Sequence, residues 1–117
     1  MRTMRTLLVL LIAAGVLAAP ALAHAPVKAR TPEPGSTVSK LRTVSVRFGE
    51  AVVTGKIQVL RGTKALTPKA SGLKPGNKAI LRAVFARSLG KGTYTVKWRA
   101  LADDGHHEGA SWTFKVS

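Results

Sequence analysis

The residues best equipped for chemistry are three histidines and a few carboxylates, and they fall at two places. His24 follows Ala21-Leu22-Ala23, the small-x-small pattern at which signal peptides are cut. Cleavage there makes His24 the first residue, offering two nitrogens to one metal ion: its free α-amine and its ring Nδ1. The second place is Asp104-Gly105-His106. In a D-x-H tripeptide a carboxylate oxygen and an imidazole nitrogen converge if the middle residue turns, and Gly105 takes positive φ without steric cost. By itself D-G-H also reads as an Asx-type turn beside a solvated histidine; with a histidine at the chain start it reads as half of a metal site. The joint donor set is the His24 amine, His24 Nδ1, the His106 imidazole and the Asp104 carboxylate. Three nitrogens and one oxygen without sulfur suit tetragonal Cu(II), which also heads the divalent affinity order; zinc on the same ligands prefers a tetrahedral arrangement. An α-amine ordinarily titrates at about 7.7–8.0 and an imidazole at about 6.5, so metal must displace protons and affinity falls in acid.

Composition narrows the setting. Arg2 and Arg5 precede an apolar run from Leu7 to Leu17, and with the Ala-Leu-Ala pattern this is a signal peptide over residues 1–23. The run is shorter than the roughly 20 residues that span a bilayer, and no second run of membrane length follows. An uncleaved N-terminal anchor is the alternative. The expected mature domain, residues 24–117, is one exported unit, soluble once cut, in the periplasm or on the outer side of the cell envelope. It has no cysteine, and both methionines, Met1 and Met4, leave with the signal. No disulfide or sulfur ligand is available, which disfavours Cu(I). The whole chain has a formal charge of +14 from 19 basic and 5 acidic residues. Without Arg2 and Arg5, 17 basic residues face 5 acidic ones, a balance of +12. That charge favours polyanions, but the basic residues are spread along the chain without a dense run, so a solvated cationic surface is expected and no specific nucleic-acid binding. Asp103, Asp104, His106, His107 and Glu108 concentrate the scarce acidic and imidazole groups in one segment.

The elements that must position these groups read as strands. His24 to Arg30 can pair as an edge strand, and Thr31-Pro32-Glu33-Pro34-Gly35 is a turn. Leu41 to Phe48 alternates, with Val44, Val46 and Phe48 on one face. Lys56 to Leu60 is a short strand, Arg61 to Lys64 a tight turn, and Leu66 to Gly76, broken by Pro68, Gly72, Pro75 and Gly76, a loop. Lys78 to Phe85 reads as a strand with a helical alternative. Leu89-Gly90-Lys91-Gly92-Thr93-Tyr94 has the form of a tyrosine corner. Thr93 to Leu101 alternates strongly, Ala102 to Gly109 is a loop, and Ser111 to Ser117 closes the chain with Trp112, Phe114 and Val116 inward. About seven strands and no clear helix predict an all-β, immunoglobulin-like Greek-key sandwich or barrel. Trp98 and Trp112 are expected in its core, and Asp103 and Glu108 as loop solubilisers that soften the positive field near the metal.

The same residues carry a family resemblance. The A-L-A before His24-Ala25, T-P-E-P-G (Thr31 to Gly35), V-S-V-R-F-G-E-A-V (Val44 to Val52), L-G-K-G-T-Y-T-V-K-W-R (Leu89 to Arg99), D-G-H (Asp104 to His106) and G-A-S-W-T-F-K-V (Gly109 to Val116) together resemble the CopC-type periplasmic copper-binding, copper resistance proteins. The resemblance spans essentially all of the mature chain. It implies a seven-stranded immunoglobulin-like barrel with one Cu(II) per chain, ligated by His24, Asp104 and His106. It also implies a carboxylate near the copper from an F-x-E motif, matched here by Phe48-Gly49-Glu50, so that Glu50 belongs to the outer shell, with a surface carboxylate in a bulge as the alternative. Its further implications are copper buffering, sequestration or delivery, with an inner-membrane copper transporter of the CopD type as partner. His107 stands where many members have proline and is read as solvated, an auxiliary or competing ligand being the alternatives. The methionine-rich Cu(I) site of some members is missing, which implies a Cu(II)-only protein.

Two other functions compete. A histidine-brace copper oxygenase also uses an N-terminal histidine, but one tyrosine and two tryptophans, all on inward positions, leave little for an aromatic substrate face; no enzymatic activity is expected. A basic envelope-binding β-sandwich without metal function is the other alternative.

Overall fold

The computed structural model describes residues 25–117, all of them in strands, turns and loops. The strands are β1 (Val27–Thr31), β2 (Thr37–Val38), β3 (Thr43–Phe48), β4 (Thr54–Arg61), β5 (Lys64–Ala65), β6 (Ala70–Lys74), β7 (Asn77–Val84), β8 (Gly92–Leu101) and β9 (His107–Val116). They form two sheets, ordered β1-β3-β7-β6 and β2-β9-β8-β4-β5. Setting aside the two-residue β2 and β5, the seven longer strands have the order of an immunoglobulin constant-type sandwich. No helix among the described residues is long and apolar enough to cross a membrane.

Alternation builds the core. Val44, Val46 and Phe48 of β3 are buried, as are Tyr94, Val96, Trp98 and Ala100 of β8 and Trp112, Phe114 and Val116 of β9. Each large apolar side chain withdrawn from water contributes roughly 1.5–3 kcal/mol, so the facing rows of the two sheets supply the main drive for their packing. Phe48 meets Trp98 edge-on across the sandwich, with ring centroids 5.3 Å apart. The tyrosine corner forms: Tyr94 Oη donates to the Gly90 carbonyl at 2.5 Å. Its ring stacks on Phe114 at 5.3 Å, and the Arg61 guanidinium lies over it.

Two expectations change, and one alternative is removed. The segment Leu66–Gly76 is not all loop, since Ala70–Lys74 is edge strand β6, paired with β7 through a hairpin at Pro75-Gly76. Pairing with a neighbour satisfies its backbone despite Gly72, whose φ of +119° lies outside ordinary strand geometry. The stretch around Lys78 is strand, in register with β3 and β6, which excludes the helical alternative. The last strand begins at His107, not Ser111, because β8 and β9 pair without interruption from Gly92↔Val116 to Leu101↔His107. The first strand lies at a sheet edge as expected, with a register shift between Val27 and Ala29. The chain then crosses to the other sheet, where β2 pairs in parallel with β9 and the Pro32 carbonyl accepts from Trp112 Nε1 at 2.9 Å.

Candidate metal centre

Starting β9 at His107 shortens the histidine-bearing connection to Ala102–His106. Two backbone bonds close it: Ala102 N–H donates to the His106 carbonyl at 2.8 Å, and Gly105 N–H to the Ala102 carbonyl at 3.0 Å. Ala102 is buried and anchors the turn, while Gly105 adopts φ +88°, a left-handed conformation that side chains other than glycine's adopt at a cost. The turn forces Asp104 and His106 together. Asp104 Oδ1 accepts the His106 backbone N–H at 3.0 Å, and Asp104 Oδ2 lies 2.6 Å from His106 Nδ1. The His106 side chain is 64% exposed and that of Asp104 22%. The imidazole thus stands in solvent while the carboxylate is tucked beneath it.

An imidazole nitrogen and a carboxylate oxygen held side by side on one turn are groups that could hold a divalent cation jointly. Among the described residues no group of three or more His, Cys, Asp or Glu side chains gathers for a metal, so this part of the chain supplies two donors. His24 and the cleavage site after Ala23 lie outside the described residues.

Other segments reach the same end of the sandwich. Gly49 N–H donates to the Pro26 carbonyl at 2.7 Å, joining the chain start to the loop after Phe48, and Val53 N–H donates to the Leu101 carbonyl at 2.8 Å, joining that loop to the end of β8. Ala25, at this end, is buried. Glu50 is exposed and lines a cleft with Val52, Lys78 and Asp103. The structure brings the F-x-E loop to the site's end of the fold and leaves the Glu50 side chain on its surface.

Two neighbours of the pair sit in β9 rather than in a loop. His107 is exposed and shares a second cleft with Lys56 and Arg99, positive company that disfavours a cation there. Glu108 is half-buried, and its Oε1 is shielded from solvent. The loop-solubiliser reading of Glu108 is therefore corrected: counting back in steps of two from Trp112 places it on the core-facing side of the strand. That period is present in the sequence and is obscured by the small Ala110. Glycine at 109 permits a close approach, since a Cβ there would lie 2.9 Å from the Trp98 carbonyl oxygen. Trp98 and Trp112 are both in the core, as expected.

Comparison with known proteins agrees with this architecture. The copper resistance protein C of Pseudomonas syringae pv. tomato is 34% identical over 125 residues, covering 96% of this chain and 96% of the relative. The crystal structure of CopC from Methylosinus trichosporium OB3b superposes with a TM-score of 0.69 at 26% identity, covering 80% of this chain and 94% of that one. PcoC, described as a methionine-rich copper resistance protein from Escherichia coli, shares the fold with a TM-score of 0.64 at 22% identity, over 80% of this chain and 99% of its own. The family model of the CopC domain matches residues 27–117, and the chain belongs to the CopC family.

Proposed function

We propose that the protein is an exported Cu(II)-binding protein that holds copper in the periplasm or cell envelope for buffering, sequestration or delivery. The observation that carries this reading is the Asp104–His106 pair, an oxygen and a nitrogen 2.6 Å apart on a turn closed by backbone hydrogen bonds. On cleavage after Ala23, His24 adds its amine and Nδ1. Ala25, the next residue in the chain, stands at the same end of the sandwich as the pair. Together with Asp104 and His106 the His24 groups would offer three nitrogens and one oxygen to one copper ion per chain. The relatives' description as copper resistance proteins supports the choice of copper, and the lack of any cysteine, with both methionines in the signal, supports Cu(II) over Cu(I). Glu50, on the neighbouring loop, is the outer carboxylate of this reading. Delivery to an inner-membrane transporter of the CopD type fits a cargo held at an exposed imidazole.

Binding rather than catalysis is favoured by the aromatic side chains. Tyr94, Trp98 and Trp112 are all in the core, so none forms a flat face for stacking a sugar. The deciding measurement is Cu(II) affinity of the processed protein beginning at His24 against a form extended by one residue. The extension turns the amine into an amide and should weaken binding by orders of magnitude. Equal affinities would sink the proposal.

A further inference from the structure

We infer that Glu108 is a positioning residue of the copper site, the carboxylate that faces the cation from the inner side of the sandwich. The inference rests on the Cu(II) reading above and adds a residue to it. Glu108 lies two positions after His106, a chain distance of about 7 Å in a strand. Its register partner is Ala100, and the pairing of β8 with β9 is unbroken there. Strand alternation places Glu108 on the face of β9 that carries Trp112, Phe114 and Val116. Along this face burial fades toward the site: those three are in the core, Ala110 is exposed, and Glu108 is half-buried with Oε1 closed to solvent.

Charge is sorted by the same alternation. Lys97 and Arg99 occupy the outer face of β8, with Lys56 in register with Arg99. Trp98, Ala100 and Ala102, the near neighbours of Glu108 across the strand pair, are uncharged and buried. Basic side chains therefore project from one side of this hairpin and the carboxylate from the other. A chain with 17 basic and 5 acidic residues after cleavage repels cations over most of its surface. Drawing a divalent cation to one end requires local negative charge, and Asp104 with Glu108 balances a charge of +2. Asp103, the other acid of the segment, lines the cleft of Glu50 and Lys78 instead.

The test uses processed protein, made by exporting and cleaving the full-length chain, with Cu(II) buffered by a chelator of known affinity. Wild type, Glu108→Gln and Glu108→Asp are compared by affinity and by the electron paramagnetic resonance spectrum of the copper form, with the melting temperature of each metal-free form as a check on folding. Glu108→Gln should bind about 10–100-fold more weakly, as loss of a supporting partner around a metal does, with altered copper hyperfine values. Glu108→Asp, which keeps the charge, should recover part of the loss. Affinity of Glu108→Gln within threefold of wild type, with an unchanged spectrum, overturns the inference while the Cu(II) reading stands. A melting shift in both variants with the copper spectrum unmoved assigns Glu108 to the fold alone and also overturns it. Failure of the wild type to take up Cu(II) overturns the parent reading, and this inference with it.

Discussion

Strand β8 joins two ends of the sandwich that treat polar groups in opposite ways. At its start, Tyr94 donates to Gly90 four residues back and Arg61 donates to the Lys91 carbonyl. The phenol ring is buried and stacked on Phe114. Hydrogen-bonding capacity there is turned on the protein's own backbone. Past the other end of the strand, His106 stands in solvent, held at Nδ1 by a carboxylate that also accepts its backbone N–H. The same β8–β9 hairpin thus turns polar groups inward on its own backbone at one end and leaves them at the surface at the other. A turn can hold exposed donors in a fixed geometry when the strands leading into it are locked elsewhere, which removes much of the ordering cost of binding.

The comparison predicts separable effects. Phe114→Ala removes the stacking partner from the closed end and should cost about 3–5 kcal/mol, read as a lowered urea midpoint. Copper affinity should persist in whatever fraction stays folded; loss of both together would mean that the ends are not independent. His106→Ala should do the reverse, weakening Cu(II) more than 100-fold, about 2.7 kcal/mol, while stability moves by no more than about 0.5 kcal/mol, as for an exposed position. Gly105→Ala lies between them: positive φ with a Cβ costs about 1–2 kcal/mol, and the distorted turn should also lower copper affinity by several-fold in competition titrations. Tyr94→Phe is the mildest, losing one hydrogen bond worth about 0.5–1.5 kcal/mol in thermal melts, with copper affinity unchanged.

Much of this is legible in the sequence because alternation is local. Val44-Ser45-Val46 and Tyr94-Thr95-Val96 announce strands wherever they pair, and L-x-x-G-x-Y announces the corner. The Asp104–His106 convergence is legible for the same reason, since it needs only a turn at Gly105. What the sequence conceals depends on neighbours. Ala70–Lys74 has weak strand propensity, with glycine at 72 and proline just beyond, and becomes a strand because β7 offers it a ladder. Glu108 looks like loop because it stands in a run of Asp, Gly and His residues and Ala110, next on its face, is small, yet the partner strand extends β9 back to His107.

The sequence alone determined the chemical inventory: residues 25–117 without cysteine or methionine, a histidine directly after an Ala-Leu-Ala pattern, and an aspartate and histidine one glycine apart. It also determined the all-β class, because side-chain period is a property of each segment. Only the tertiary structure decided that Ala25–Pro26, the F-x-E loop and the D-G-H turn share one end, that Glu50 stays at the surface there, and that β9 reaches back to include Glu108. Those outcomes are set by register between strands distant in sequence, and a shift of one residue in register would turn every side chain of β9 to the opposite face.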